Sequence, residues 1–137
     1  MNLALPVHTI FNLRKGGVKT KNLEVGRIGE VIAKKYLRNN GYRIIEQNYK
    51  TKYAEIDLIA RYKGALVFVE VKTRIGERFG APEESINRDK MYKLIKNARG
   101  YTAWKKYRKA YRIDAIGIVL DENKKLKRLN HYKNITS

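Results

Sequence analysis

The sequence contains no cysteine, and its two histidines, His8 and His131, lie far apart along the chain. Without cysteine a disulfide framework and a thiolate zinc site are both excluded. The histidines lack the close spacing of metal ligands, so each is expected to be an ordinary surface or partly buried side chain. A zinc-finger type of metal centre is therefore not expected.

Long apolar runs are also missing, since no segment approaches the ~18 residues of a membrane-spanning helix. The opening MNLALPVHTIFNLRKGG lacks a basic region before its apolar part and a small-residue cleavage site, so it is not expected to be a signal peptide. We expect a cytoplasmic protein without a membrane partner. A chain of 137 residues, 43% of them hydrophobic, is sufficient for one domain with a real core.

Acidic residues are scarce: 13 Asp and Glu accompany 31 Lys and Arg, which gives a formal net charge of +18. An excess this large favours a polyanion as partner, and nucleic acid is the first candidate. An anionic membrane surface or an acidic protein is the alternative.

Residues 1–23 contain no acid and show no sustained period, so we predict a basic, flexible N-terminal arm before a domain at 24–137. The segment RKGGV could also be translated from a purine-rich ribosome-binding site, with Val18 encoded by an alternative start codon. In the other interpretation the arm is part of the protein and contacts phosphates.

The hydrophobic pattern predicts an α/β sandwich built on a mixed sheet. Apolar residues at helical spacing predict one helix from about Glu24 to Asn40 and a second from near Asn87 to near Lys106. Alternating or continuous apolar residues predict five strands, at 42–48, 54–61, 65–72, 111–120 and 126–132. The order is helix, three strands, helix, two strands.

The second and third predicted strands carry carboxylates among their apolar residues. Lys63-Gly64 between them suits a two-residue hairpin turn, and that register places Asp57 directly opposite Glu70. Two carboxylates ~5 Å apart repel by about 3 kcal/mol at an effective dielectric constant of ~20. A shared proton, a cationic side chain or a divalent cation could offset this repulsion. Mg²⁺ is the first candidate cation, because it takes carboxylate, carbonyl and water oxygens as ligands.

Lys72 and Glu30 are further candidates for the same site. Lys72 shares a face with Glu70, so its ammonium could hold a phosphate oxygen or orient an attacking water. The alternative is a salt bridge to Glu55, which the same register places opposite Lys72. Glu30 lies at the edge of the apolar arc of the first helix, where it could point into a cleft or remain a solvated boundary residue. The acids could equally line a wet, polar face of the sheet, although apolar residues share that face.

Basic residues cluster in the second half of the chain. From Arg88 to Arg112 there are ten Lys or Arg and one acid. In KKYRKAYR, tyrosines are interleaved with cations, a pattern that can grip phosphates and stack on bases. A solvated basic helix end is the alternative. The candidate nucleic-acid contacts are Lys90, Lys93, Lys105, Lys106, Tyr107, Arg108, Lys109 and Arg74.

The ordered blocks of the sequence resemble known families. Glu-Ile-Asp on one strand and Glu-Val-Lys on the next, after a helix with a Glu, resemble the PD-(D/E)XK nuclease superfamily. More closely, GRIGEVIAKKYLRNNGYRIIEQNY, EIDLIA, VFVEVKTR, FGAPEESI and RIDAIGI resemble the YraN-like family of bacterial proteins, over about residues 24–132. Archaeal Holliday-junction resolvases show a similar order. Two positions depart from the usual pattern: Ile56 replaces the Pro of Pro-Asp, and Ala54 replaces the Gly before EID.

The resemblance implies a restriction-endonuclease-like α/β fold, a mixed β-sheet flanked by helices in αβββαββ order. It implies that Asp57, Glu70 and the Val71 carbonyl bind Mg²⁺ or Mn²⁺, that Glu30 is an additional acid, and that Lys72 assists the attacking water. The expected function is that of an endonuclease on DNA rather than RNA, with branched or damaged DNA as candidate substrate. A homodimer is expected by analogy with the resolvases. A binding module that keeps the fold without cleaving, or an adaptor for acidic proteins, remains the alternative.

Overall fold

A computed structural model describes residues 17–136, with side chains from Asn22 onward. Its αβββαββ order confirms the predicted fold class. A short 3₁₀ turn, Pro82–Ser85, precedes the second helix. The elements are α1 Gly17–Asn39, β1 Arg43–Lys50, β2 Glu55–Tyr62, β3 Ala65–Ile75, α2 Arg88–Trp104, β4 Tyr111–Leu120 and β5 Leu126–Tyr132.

Helix α1 begins at Gly17, seven residues before the predicted start at Glu24, so the predicted start was wrong. The segment GVKTKNL gives little sequence signal for a helix, because it opens with glycine, contains β-branched residues and has no acid in its first turn. The rest of the predicted arm, residues 1–16, lies outside the described residues. The arm and the alternative start at Val18 therefore stay predictions.

The five strands form one mixed sheet in the order β1-β2-β3-β4-β5. Strands β3 and β4 are parallel and the other neighbours are antiparallel, so the β3–β4 connection needs the crossover that contains α2. One face of the sheet packs against Ala33 and Leu37 of α1, and the other against Leu94 and Ala98 of α2. The sheet is thus covered on both faces by helices. No helix in the described range combines the length and apolarity needed to cross a membrane.

The predicted hairpin between β2 and β3 is confirmed. Lys63 and Gly64 have φ values of 45° and 80°, as the two central residues of a type I′ turn require. Tyr62 pairs with Ala65, and the regular ladder continues to Leu58 opposite Val69. Asp57 and Glu70, the next positions in this register, lie immediately beyond the regular ladder.

A buried carboxylate, Asp114, links β4 to β5 and to the chain that follows. Its oxygens accept hydrogen bonds from Arg112 Nε at 2.9 Å and from the Asn134 amide at 2.9 Å. The ionised carboxylate also takes a hydrogen bond from His131 Nε2 at 2.8 Å, and His131 Nδ1 faces the Tyr36 hydroxyl at 2.9 Å. His131 therefore belongs to a structural hydrogen-bond network, which agrees with the expectation of a partly buried histidine.

The hydrogen bonds to Asp114 set its protonation. Burial alone would raise the pKa of this carboxyl, but the hydrogen bonds from His131, Arg112 and the Asn134 amide together bring the pKa below its ordinary value. The ionised form is thus the form that the folded protein prefers. Its contribution to stability is full above the unfolded-state pKa of ~3.9 and is lost as the pH falls through the folded-state pKa.

We expect Asp114→Asn to lower the free energy of unfolding at pH 7 by about 3 kcal/mol, because Arg112 would keep a charge without its partner. Below about pH 4 the difference from the original protein should shrink. Urea denaturation at pH 7 and pH 3 measures both effects. The matched control is Asp89→Asn, which removes an exposed carboxylate that pairs with Lys93 at 3.4 Å. Equal losses for the two variants at pH 7 would contradict this role for Asp114.

Candidate active site

The candidate site lies where β2 and β3 leave their regular pairing. Asp57 Oδ2 accepts a hydrogen bond from the backbone N–H of Val71 at 2.8 Å. In a regular ladder a backbone carbonyl of the neighbouring strand would accept this bond. The alternation of β2 also breaks here, since Ile56 and Ile59 both pack on the α2 side of the sheet. Strict alternation along a strand would place Ile56 and Ile59 on opposite faces of the sheet, and that expectation from the sequence is wrong here.

Glu70 is a buried carboxylate whose two oxygens have different contacts. Its side chain is 3% exposed, and Oε2 lies 3.4 Å from Lys72 Nζ and 3.3 Å from Lys90 Nζ. The other oxygen, Oε1, is buried and has no hydrogen-bond partner among the described residues. Leaving a buried acceptor unpaired costs about 1–3 kcal/mol. A carboxylate held on one side and open on the other is suited to binding a ligand.

Lys72 thus contacts Glu70 rather than Glu55. The part of the chain that the structure describes shows no ion pair between Lys72 and Glu55, which was the alternative prediction for this lysine. Lys90 approaches from the other side, in the first turn of α2. Asn87 caps that helix by accepting a hydrogen bond from the Lys90 N–H at 2.9 Å, which fixes the helix start and with it the direction of the lysine.

The pKa of Asp57 depends on its burial and on the neighbouring acids. Burial and repulsion from Glu70 raise its pKa well above the ordinary value, and the hydrogen bond from Val71 only partly opposes the shift. Repulsion from Glu30 and Glu55 adds to the increase. The predicted pair thus lies within electrostatic range of each other, and two further carboxylates lie within range of Asp57.

Glu30 reaches this region from α1. Burial raises its pKa, a hydrogen bond from Asn48 Nδ2 to Oε1 at 3.3 Å lowers it, and repulsion from Glu55 raises it, with a net increase. The preceding residue, Gly29, faces Thr73 of β3 so closely that an added Cβ would collide with the Thr73 hydroxyl. This glycine lets the helix backbone approach the sheet beside Lys72.

Glu55 is a further acid near Asp57, and the sequence predicted it only as a possible partner for Lys72. Its position two residues before Asp57 on the same strand indicates that the two side chains share a face of the sheet. Its repulsion contributes to the raised pKa values of both Asp57 and Glu30.

The donor chemistry fits a hard divalent cation, which takes oxygen ligands. Asp57 and Glu70 are the residues that would hold it, with the unpartnered Oε1 of Glu70 as the open donor. Val71 contributes its N–H to Asp57, and Glu30 is tied to Asn48. Within the described range, no three Asp, Glu or His side chains are arranged as a ready-made set of metal ligands. The predicted roles of Glu30 and of the Val71 carbonyl as metal ligands stay predictions.

The predicted nucleic-acid contacts separate into two groups. Lys90 and Arg74 lie on the part of the molecule that carries Glu70, whereas residues 105–109 follow α2 and join the opposite end of β3, where Leu66 N–H bonds to Ala110 O at 3.1 Å. Leu66 and Glu70 are four residues apart, or about 13 Å along a strand. Lys93 is exposed on α2 and pairs with Asp89.

Tyr107 is less accessible for stacking on a base than its position among cationic residues in the sequence indicates. Its hydroxyl donates to Ala110 O at 2.6 Å, and its half-buried ring packs on the α2-side core with Arg61 5.8 Å from the ring centre. Lys105 lies over the Trp104 ring at 4.5 Å. Stacking of Tyr107 on a base would require release of these contacts, and it stays a prediction.

We expect Asp57→Asn to raise the free energy of unfolding of the metal-free protein at pH 8, because burial and repulsion from Glu70 penalise the ionised carboxylate that the variant lacks. Because the pKa of Asp57 is raised in the folded protein, the contribution of this group to stability is full below the unfolded-state pKa of ~3.9 and is lost as the pH rises through the folded-state pKa, whereas Asn cannot lose a proton. The advantage of the variant should therefore vanish below about pH 4. Urea denaturation in EDTA measures this difference.

The same variant tests the cation without an activity assay. Mg²⁺ should raise the Tm of the original protein and of Glu122→Gln, which changes an exposed acid in the β4–β5 turn, but not the Tm of Asp57→Asn. An equal Mg²⁺ effect on all three proteins would show that the ion does not use Asp57.

Comparison with known proteins identifies a family to which this chain is similar. A family model described as "Uncharacterised protein family UPF0102" matches residues 29–118. A UPF0102 protein of Caldanaerobacter subterraneus is 43% identical over 118 residues, which cover 85% of this chain and 97% of that protein. A UPF0102 protein of Clostridium botulinum is 44% identical over 102 residues, 73% of this chain and 83% of the relative. The chain therefore belongs to the UPF0102 family, the YraN-like family that its sequence resembles.

Proposed function

We propose that this protein is a metal-dependent endonuclease of the PD-(D/E)XK type, which hydrolyses phosphodiester bonds of DNA in the cytoplasm. The observation that carries the proposal is the buried Glu70, which has one oxygen between two ammonium groups and the other unpartnered beside Asp57. Two close carboxylates with an adjacent lysine supply the donors that phosphodiester hydrolysis needs.

Each side chain has a separate task in this proposal. Asp57 and Glu70 would hold a divalent cation, Mg²⁺ or Mn²⁺, which would supply Lewis-acid stabilisation of the phosphate and a more acidic water. Lys72, already 3.4 Å from Glu70, places its ammonium where it stabilises charge on a phosphate oxygen or orients the water. Lys90 fixes the Glu70 carboxylate from the opposite side. Glu30 and Glu55 add negative charge that strengthens cation binding.

Charge supports a nucleic-acid substrate. The excess of 18 positive charges would attract any polyanion. Among the candidate contacts on α2 and after it, the exposed ones are Lys93, Lys105, Lys106, Arg108 and Lys109. DNA is proposed over RNA, and branched or damaged DNA over intact duplex, from the resemblance to resolvases. A dimer is part of the same analogy.

A second candidate function, a nucleic-acid-binding module without hydrolysis, is favoured by one observation. Lys72 and Lys90 both contact the same Glu70 oxygen, so two cations of the protein itself already offset its charge. The raised pKa of Asp57 favours its protonated form, which would carry no charge beside Glu70. The acids could then be tolerated without a metal ion.

The nuclease proposal predicts Mg²⁺- or Mn²⁺-dependent cleavage of at least one among duplex, single-stranded and four-way-junction DNA. Glu70→Gln and Lys72→Met should each reduce the rate at least about 100-fold, the effect of losing one charge-stabilising group. Lys127→Ala, an exposed lysine on β5, is the matched control and should leave the rate unchanged. Equal cleavage by Glu70→Gln would identify a contaminating nuclease. Binding without cleavage by any variant would favour the binding module.

Binding of DNA in EDTA should weaken steeply with salt. For four phosphate contacts we expect about a 100-fold loss of affinity between about 50 and 200 mM salt. Fluorescence anisotropy with a labelled duplex measures the slope. An affinity that does not change with salt would argue against a polyanion as partner.

A further inference from the structure

A groove of about 490 Å³ lies beside Lys72, at the end of β3 that carries the candidate site. The groove is lined by the apolar side chains of Val25, Ile75 and Pro82 together with Lys72, Arg74, Arg78 and Phe79. We call this the Phe79 groove. A lining that combines apolar side chains with cations is suited to a ligand that combines a flat apolar part with negative charge.

Phe79 is the most exposed large apolar side chain in the described part of the chain, at 84%. It lies in a tight turn that Gly80 N–H closes on Glu77 O at 3.0 Å. The flanking Gly76 and Gly80 have φ values of 69° and 102°, which other residues rarely adopt. The turn therefore places Phe79 at the surface, where its ring is open to a ligand.

The charges around this turn leave the arginines available. Glu77, the acid within the turn, pairs with Arg128 at 2.8 Å. Neither Arg74 nor Arg78 has a carboxylate partner in the described range, and the Arg78 guanidinium lies 5.9 Å from the Phe79 ring. Two cations and an aromatic face thus lie together next to Lys72. This combination matches the stacking surfaces on which proteins bind single-stranded nucleic acid.

We propose that the Phe79 groove holds an unpaired nucleotide adjacent to the phosphate that is cleaved, with its base stacked on Phe79 and its phosphates held by Arg74 and Arg78. The inference rests on the proposed nuclease site for the identity of that phosphate. It defines the substrate class as nucleic acid with a single-stranded segment beside the cleavage position, such as a fork, a flap or an overhang. A fully paired duplex presents no free base face to Phe79, so it binds without this contact.

The test measures binding in EDTA, where cleavage cannot occur. The probes are a blunt duplex and the same duplex with a short overhang that carries 2-aminopurine at its first unpaired position. The original protein should bind the overhang duplex about tenfold more tightly than the blunt duplex, the order of magnitude of one stacking contact, and should quench 2-aminopurine fluorescence. Phe79→Ala should lose both effects, and Phe79→Trp should keep both.

The control variant is Tyr92→Ala, which removes a 61% exposed aromatic from α2 and should retain the preference. Equal affinity of the original protein for both probes, or an unchanged preference in Phe79→Ala, would overturn the inference. Sedimentation of the free proteins adds a further outcome: a dimer that only Phe79→Ala dissociates, with no change in preference, would assign the ring to a contact between two copies.

The nuclease proposal and this inference can fail separately. If the overhang preference depends on Phe79 while no substrate is cleaved with Mg²⁺ or Mn²⁺, the assignment of the Phe79 groove is supported and the proposed hydrolytic activity is contradicted. If Glu70→Gln loses cleavage but Phe79→Ala keeps the preference for the overhang duplex, the nuclease proposal is supported and the assignment of the Phe79 groove is contradicted.

Discussion

The arrangement of the candidate site depends on the different contacts of the two carboxylate oxygens of Glu70. Two lysine ammonium groups, from β3 and from α2, contact one oxygen, while the other is buried without a partner. The same side chain repels Asp57 and contributes to its raised pKa. A buried carboxylate would destabilise the fold if nothing offset its charge. The lysines remove most of that cost and still leave one oxygen open.

The fold brings these groups together by ordinary secondary-structure rules. A two-residue turn sets the register of β2 against β3, so that Asp57 and Glu70 follow the last regular pair. The parallel pairing of β3 and β4 requires a crossover, and α2 within it carries Lys90 to the site. Glycine at position 29 allows α1 to approach β3 closely, which places Glu30 within electrostatic range of Asp57. Four different elements thus converge on one edge of the buried layer.

Much of this arrangement was predictable from the sequence, because it depends on local rules. The Lys63-Gly64 turn fixes the register, and the register pairs Asp57 with Glu70. The sequence could not reveal that Asp57 would bond to the Val71 amide, because this requires the strands to separate at that point. The partner of Lys72 was equally hidden, since Glu55 and Glu70 are both close to it in the register. The role of the Phe79 turn depends on which surfaces the folded chain leaves exposed, and a short FGAP segment carries no such information.

Strand β3 is the central strand of the sheet, paired over its length with β4 and covered on both faces. Amide hydrogens in such a strand normally exchange only when the whole domain opens. The backbone that supports Glu70 and Lys72 should therefore not fray before global unfolding. Heat inactivation of this site would then coincide with cooperative melting of the domain, rather than precede it as it does for sites built on mobile loops.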